Sequence, residues 1–325
     1  MRPRQRPMRS GCRPKPPSRS PRPNWRRSPP DDAAAPVARA IDHIVLCVGD
    51  LEGARACYER FGFTTTPRAI HPWGTANSLV QFQDNFLELL TVATPAQIPP
   101  ATPGVFGFGA YNRDFLARRE GFSMLVLASS DARADQRAFA RAGLETYAPF
   151  DFSRQARLPD GSSATVSFSL AFVTDRRMPE SVFFVCQQHA PQYFWKPEYQ
   201  LHANGARGVV EVVMAADEPQ RYGEFFARLQ GADAVSVGDG MVHVAAGAGR
   251  IALMTPQRLS DRLRGTRIAN APSSPYFAGF SVAVADVERS AALLTARNVI
   301  FEQDGNSLRI SPGQAFNVAI ELVAG

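Results

Sequence analysis

One order of elements recurs four times along the chain and limits the folds that it can adopt. An apolar strand is followed by a turn, usually with an Asp, then an amphipathic helix and three short strands, starting near residues 41, 121, 208 and 278. In the first two copies the turn residues Asp50 and Asp131 lie 81 positions apart, as do the helix-ending Gly62 and Gly143. Recurrence of one supersecondary unit predicts a repeat architecture.

A single strand–helix–strand–strand–strand unit is too small to bury a core of its own. Two units side by side would curl their strands into a half-open barrel with a cup between them. The sequence therefore predicts an α+β fold of four βαβββ modules paired into two half-open barrels. We expect a tail at residues 1–38, a first two-module domain at 39–190, a linker at 191–207 and a second two-module domain at 208–325.

The basic charge of the chain is concentrated in residues 1–38. This segment holds ten Lys and Arg residues against Asp31 and Asp32, while the whole chain has a formal net charge of +6, so the remainder carries −2. The segment also contains ten of the 26 prolines and few aliphatic residues, a composition that predicts disorder. A nearly neutral body argues against nucleic acid as a partner, except through the tail. A functionless extension or a targeting segment are the other readings of the tail.

Cysteine content and hydropathy exclude several classes. The four cysteines, Cys12, Cys47, Cys57 and Cys186, are too few and too scattered for a disulfide framework or a Cys-x-x-Cys metal site. We therefore expect a reducing, cytoplasmic location. No apolar run approaches the ~20 residues that a membrane-spanning helix needs, so a membrane is not an expected partner. Phosphate-binding glycine motifs are also absent, which argues against nucleotide binding.

The first module carries a set of short motifs at residues 41–46, Asp50-Leu51, Tyr58 and 61–63. Together they resemble the vicinal oxygen chelate superfamily, which includes glyoxalase I and the extradiol dioxygenases. The glyoxalase-like-domain subgroup is resembled more specifically by the runs at 71–77, 86–90, 187–189 and 202–206.

This resemblance implies a divalent metal ion (Zn, Ni, Mn or Fe) bound by residues on the first and last strands of the modules. By position, His43 on a first strand and Glu88 on a last strand match that pattern. His189 follows the last strand of the second module, where a ligand from the partner unit would enter, and is the candidate third ligand. The 81-residue offset places Met124 opposite His43, and methionine is not a usual ligand for these metals.

The residues around Glu88 give a separate reason to expect a site. Glu88 lies within Phe86-Leu87-Glu88-Leu89-Leu90, and a strand that is apolar throughout is buried on both faces. A buried carboxylate costs several kcal/mol unless a cation or hydrogen-bond donors compensate it. A metal shared with His43 would do so. A structural His43 and a Glu88 paired with a nearby arginine remain the alternatives.

A loop between predicted strands supplies the candidate substrate-binding residues. His71, Trp73, Thr75 and Asn77 place an aromatic ring, an amide and small polar groups close together. Such a set is able to line the mouth of a cup and orient a small molecule. The alternative is an ordinary Pro-Trp-Gly turn.

The second half of the chain offers a weaker candidate site. Glu211, Glu321 and His243 lie in apolar strands, much as Glu88 does. A second metal site is one interpretation. The other is a barrel that braces the first or mediates a homodimer.

These observations favour a metal-dependent lyase or isomerase that acts on a small oxygenated substrate. The metal would polarise a carbonyl, and Glu88 would transfer the proton as the catalytic residue. A metal-free protein that binds or sequesters a small molecule in the same cup is the first alternative. An extradiol-type dioxygenase is the second, although it requires two histidines and one carboxylate around iron.

Overall fold

The computed structural model describes residues 38–157, 163–238 and 240–325. The predicted disorder of the tail concerns residues that lie, apart from the last, outside the described ones. Within the described part of the chain, no helix is both long and apolar enough to cross a membrane.

Modules one and two form the first sheet. The helix of each begins where an aspartate side chain accepts a backbone hydrogen bond, from Gly53 to Asp50 and from Ala134 to Asp131. Their elements are β1 (Ile41–Cys47), α1 (Leu51–Arg60), β2 (Ala69–Ile70), β3 (Thr75–Gln81), β4 (Phe86–Val92), α2 (Phe108–Leu116), β5 (Gly121–Ala128), α3 (Ala132–Arg141), β6 (Glu145–Thr146), β7 (Phe150–Arg157), β8 (Ser163–Thr174) and β9 (Val182–Gln188).

The strand order of this sheet is β2-β3-β4-β1-β5-β9-β8-β6, and β7 pairs with β8. The first strands β1 and β5 run antiparallel at its centre and join the two modules. Each is flanked on its other side by the last strand of its own module, running parallel.

Modules three and four form the second sheet in the same way, with the order β11-β12-β13-β10-β14-β17-β16-β15. Its elements, with the short α4 and the connecting α6, are α4 (Pro191–Phe194), β10 (Ala206–Ala215), α5 (Gly223–Gln230), β11 (Val235–Gly238), β12 (Met241–Ala246), β13 (Gly249–Met254), α6 (Pro256–Arg262), β14 (Tyr276–Val284), α7 (Val287–Ala296), β15 (Glu302–Asp304), β16 (Ser307–Ile310) and β17 (Ala319–Ala324).

The two sheets share one hydrophobic core on the faces that carry α1, α3, α5 and α7. Phe122 of the first sheet stacks on Phe277 of the second with ring centroids 4.3 Å apart. Phe183 packs against Phe225 and Phe226 of α5. The opposite face of each sheet has a hydrophobic cluster of its own, so the two cups lie on either side of the common core.

The predicted α+β fold of paired βαβββ modules is confirmed. Strand β7 was not predicted, and it gives the second module a fourth strand after its helix. It pairs with β8 along Phe150–Arg157, and it alternates Phe150, Phe152 and Arg154 on one face with exposed Asp151, Ser153 and Gln155 on the other. The first of these faces completes the wall of a cavity.

Candidate functional site

The inner face of the first sheet encloses a cavity of about 60 Å³, which we call the first cup. Aromatic rings make up most of its wall, among them Trp73, Phe86, Phe152 and Phe184. Its polar lining consists of six residues: His43, His71, Asn77, Glu88, Arg154 and Cys186. A mainly apolar cavity with a few converging polar groups is typical of a small-molecule site.

His43 and Glu88 face each other in this cup. Side chains alternate between the faces of a strand, so His43 shares a face with Val45, which is the register partner of Glu88 on the parallel strand β4. His43 Nε2 lies 3.8 Å from Glu88 Oε2, and both residues are buried. The structure therefore brings together the two residues that the sequence singled out.

Asp42 orients the imidazole of His43. The pairing of β1 with β5 shifts register between Ile41 and His43, and such an irregularity re-aims the side chains near it. Asp42 Oδ1 lies 2.5 Å from His43 Nδ1, and Asp42 Oδ2 accepts a hydrogen bond from Gln188. An ionised carboxylate only accepts, so this contact favours a proton on Nδ1 and directs Nε2 towards Glu88. The ring also stacks on Phe86 at 4.2 Å.

The predicted substrate-binding loop contributes three of its four residues to the cup. Asn77 donates a 2.6 Å hydrogen bond to Glu88 Oε1. His71 stacks on Trp73 with ring centroids 4.8 Å apart, and both line the cavity. Thr75 is fully buried behind them, where its hydroxyl lies 2.8 Å from His71 Nδ1 and positions that ring.

Burial lowers the pKa of His71, and the nearby Arg154 lowers it further, against the opposing effect of Glu88. His71 is therefore a neutral group at pH 7, able to act as a hydrogen-bonding partner in the wall of the cup.

Arg154 enters the cup from β7. Its guanidinium is half-buried and faces the negative charge of Glu88. Burial lowers its pKa, and Glu88 opposes that effect. Among the described residues, no carboxylate oxygen lies within 4.0 Å of this guanidinium. The sequence analysis missed Arg154, although the alternation of aromatic and polar residues at 150–155 is a strand signal that could have revealed it.

The second module supplies no ligand-type residues where the first supplies His43 and Glu88. The residue seven positions before the turn Asp is His43 in the first module and Met124 in the second. On the last strand, the residue that takes the place of Glu88 is Phe184. Cys186, one pleat further along, also lines the cup. Burial, together with the charges of Asp42 and Glu88, raises its pKa well above the ordinary value, so this thiol stays protonated and is a poor ligand.

His189 does not join His43 and Glu88. Its Nε2 lies 2.8 Å from the hydroxyl of Ser169, which in turn donates to Asp151 on the solvent side of β7. Within the described residues, no three His, Cys, Asp or Glu side chains come close enough to hold a metal ion. The predicted triad of His43, Glu88 and His189 is therefore not assembled in this structure.

The second sheet has an open cavity of about 620 Å³, which we call the second cup. Glu211 and Glu321 meet there, as their strands predict, but arginines bind both of them. Arg262 Nη2 lies 2.5 Å from an oxygen of each carboxylate, Arg250 donates to Glu211, and Arg309 donates to Glu321. His243 is not part of this cavity.

Comparison with known proteins agrees with this architecture. The model of the glyoxalase-like domain family matches residues 41–230, which is more than half of the chain and includes the whole first cup. The chain belongs to this family. Its placement in the vicinal oxygen chelate superfamily, suggested by the sequence motifs, is thereby confirmed. A search of curated proteins finds no match.

Solved structures resemble this glyoxalase-like protein over both sheets. A hypothetical protein from Staphylococcus aureus has a TM-score of 0.61 at 12% identity and covers 88% of this chain and 99% of its own. A triple mutant of 4-hydroxymandelate synthase from Streptomyces coelicolor has a TM-score of 0.53 at 14% identity, covering 90% and 93%. A xylose isomerase-like TIM barrel/4-hydroxyphenylpyruvate dioxygenase fusion protein has a TM-score of 0.51 at 13% identity, covering 91% and 50%. At these identities the likeness concerns the fold.

The superfamily's usual metal does not fit the donor set of the first cup. Structural and catalytic zinc sites use at least three protein ligands, whereas in the described part of the chain His43 and Glu88 face each other with no third ligand beside them. The facing module presents Met124 and Phe184, and the guanidinium of Arg154 would repel a dication. The glyoxalase-like cup therefore holds groups suited to proton transfer and to anion binding.

Proposed function

We propose that the first cup is the active site of an isomerase- or lyase-type enzyme that moves protons on a small oxygenated substrate, without a resident metal ion. The observation that carries this proposal is the pair of His43, hydrogen-bonded to Asp42, and Glu88, hydrogen-bonded to Asn77, whose Nε2 and Oε2 atoms face each other at 3.8 Å inside an aromatic cavity. Acid–base pairs of this kind need a buried carboxylate with one free oxygen and an oriented imidazole.

Each of these residues has a distinct part in the proposed reaction. Glu88 Oε2 removes a proton from a carbon next to a carbonyl group, while Asn77 holds Oε1. The electron pair of that C–H bond forms a C=C bond, and the π pair of the carbonyl moves onto its oxygen, which gives an enediolate. His43 Nε2 accepts the proton of the neighbouring hydroxyl and donates it to that oxygen. Glu88 then returns its proton to the former carbonyl carbon, and the former hydroxyl oxygen becomes the new carbonyl. Asp42 is a positioning residue, since it acts through His43.

Deuterium incorporation tests this proposal directly. Dihydroxyacetone and hydroxypyruvate are incubated with the full chain in D₂O, and loss of the C–H signal is followed by proton NMR. Glu88→Gln keeps the shape of the side chain but removes the base, so we expect the exchange rate to fall by ~10²–10⁴-fold. Glu198→Gln, at an exposed glutamate outside the cup, is the matched control and should exchange at the parent rate.

Metal dependence is measured in the same experiment. Exchange that survives chelation, with no stoichiometric Zn, Ni, Mn or Fe by elemental analysis, supports the proposal. Stoichiometric metal that is lost in a His43→Ala, Glu88→Ala double variant would instead support the metal-dependent mechanism of the superfamily.

A binding protein is the second candidate, and the aromatic wall of the cup favours it. Trp73, Phe150 and Phe152 pack edge to face over the cavity, an arrangement able to retain a small molecule with no chemistry. Tight binding of a ligand that shows neither exchange nor isomerisation would identify this function.

A further inference from the structure

Arg154 differs from the other arginines that line the two cups. Arg250, Arg262 and Arg309 of the second cup each donate to a carboxylate at 3.3 Å or less. Arg154 has no hydrogen bond or ion pair from its guanidinium within the described residues, and its electrostatic partner is Glu88 across the cavity. A half-buried cation without a hydrogen-bonded partner is unfavourable unless something else compensates it.

The position of Arg154 does not suggest a structural task. The backbone of β7 is held by its ladder with β8, in which Arg154 pairs with Val166. The side chain then points into the cup beside Phe150 and Phe152 rather than out to solvent with Asp151 and Gln155. An arginine with a structural role, such as Arg262, donates to carboxylates at hydrogen-bond distance, and Arg154 makes no such contact among the described residues.

We infer that the substrate of the first cup carries a carboxylate group, which pairs with the guanidinium of Arg154 while the adjoining carbon lies against Glu88. This inference rests on the proposed function and names its substrate class. The planar guanidinium matches a carboxylate through two parallel hydrogen bonds, which would fix the substrate's orientation as well as its charge.

Size and charge restrict the acid further. An engineered cavity of roughly 150 Å³ binds benzene, whereas the first cup measures about 60 Å³. This favours acids of two or three carbons over aromatic ones. Asp42 and Glu88 already place negative charge near the site, so a monoanion is favoured over a phosphate dianion. The class is therefore short 2-hydroxy and 2-oxo monocarboxylates.

Calorimetric titration of the full chain with lactate and with lactamide tests this inference, because the two probes are nearly isosteric and differ in charge. We expect lactate to bind at least tenfold more tightly than lactamide. Arg154→Gln should weaken the binding of lactate at least tenfold and leave the binding of lactamide unchanged. Arg154→Lys should weaken lactate binding less, since lysine keeps the positive charge but loses the two parallel hydrogen bonds of the guanidinium. The control is Arg176→Gln at a highly exposed arginine outside the cup.

Equal affinity for lactate and lactamide, or parent affinity in Arg154→Gln, would overturn the inference. So would tighter binding of inorganic phosphate than of lactate. Circular dichroism checks that each variant is folded, and if Arg154→Gln is not, the comparison of the two probes on the parent protein still decides.

The inference and the proposed function fail in different ways. Lactate binding through Arg154 without any exchange of hydroxypyruvate leaves the inference standing and removes the catalysis. If neutral dihydroxyacetone exchanges at least as fast as hydroxypyruvate, and the exchange still depends on Glu88, the proposed catalysis stands and the inference of a carboxylate substrate fails. Glu88→Gln adds a further readout: it should strengthen lactate binding, because a like charge is removed, while it slows exchange by ~10²–10⁴-fold.

Discussion

The two cups of this protein begin from the same strand position and end in opposite electrostatic states. Glu88 is paired with Val45, five positions before the turn residue Asp50. Glu321 is paired with Ser281, five positions before the turn residue Asp286, so the two glutamates occupy equivalent positions. In the second cup, Arg262 and its neighbours neutralise the carboxylates at hydrogen-bond distance. In the first, Glu88 keeps one oxygen free of any arginine, and Arg154 stays apart from it.

This difference in charge pairing suits the second cup to a structural role and the first cup to ligand binding. Carboxylates bound by guanidinium groups hold strands together, and their charge is already neutralised before a substrate arrives. A carboxylate and a guanidinium held apart in one cavity keep their charges available to a ligand, at a cost to the stability of the fold. The comparison thus predicts that substitutions in the second cup lower stability, while those in the first lower activity.

The largest effect on stability is expected from Arg262→Met. Arg262 bridges Glu211 and Glu321, so its loss leaves two buried carboxylates close together with one arginine each, Arg250 and Arg309, in place of a shared cation between them. Removal of one partner from a buried ion pair costs ~3–5 kcal/mol, and we expect a loss of that size in the free energy of unfolding measured with urea. The matched change Arg154→Met should leave stability unchanged or raise it, since no pair is broken.

If Arg154→Met were as destabilising as Arg262→Met, Arg154 would be a structural arginine. The distinction between the two cups would then be lost.

The modules of this fold could be predicted from the sequence, whereas most of the contacts in the two cups could not. The repeat of turn aspartates and helix-ending glycines identifies modules because each motif depends on neighbouring residues alone and can be recognised without knowledge of distant contacts. His43 and Glu88 could be predicted to lie close together because the position of a residue along its strand determines the face of the sheet on which its side chain lies. The residues around them depend on contacts between distant segments: Arg154 reaches Glu88 from a hairpin 66 positions later in the chain, and Arg262 reaches Glu211 from α6.

His189 shows the limit of argument by position. It follows the last strand of module two, as a ligand would, but its Nε2 is hydrogen-bonded to the hydroxyl of Ser169 on the adjacent strand β8. Asp42, which the sequence placed in an ordinary strand, orients His43 through a local shift of register. Neither effect can be read from periodicity, because a one-residue irregularity redirects the side chains beside it.

A smaller effect on stability separates the two equivalent glutamates. Glu321→Gln removes a charge that two arginines bind, and a hydrogen bond to a charged group contributes ~1.5–3 kcal/mol. Glu88→Gln retains an acceptor for Asn77 and breaks no pair with arginine, so we expect a change below ~0.5 kcal/mol. Urea unfolding of both variants at pH 7 measures the difference, and equal losses would contradict the assignment of separate roles.

The smallest effect is expected from pH, because protonation weakens the pairs of the second cup without removing a side chain. Burial alone would raise the pKa values of Glu211 and Glu321, but hydrogen bonds and charge from Arg262, with Arg250 and Arg309, hold both below the ordinary value of 4.5. A lowered pKa means that the unfolded chain takes up protons first as pH falls, so this contribution to stability is complete above about pH 4.5 and is lost below it. In Arg262→Met the same carboxyls lose the cation that lowers their pKa. The difference in unfolding free energy between parent and variant should therefore narrow as pH falls below about 4.5, and a difference that stays constant down to about pH 3 would show that Arg262 stabilises the cup by packing rather than by charge.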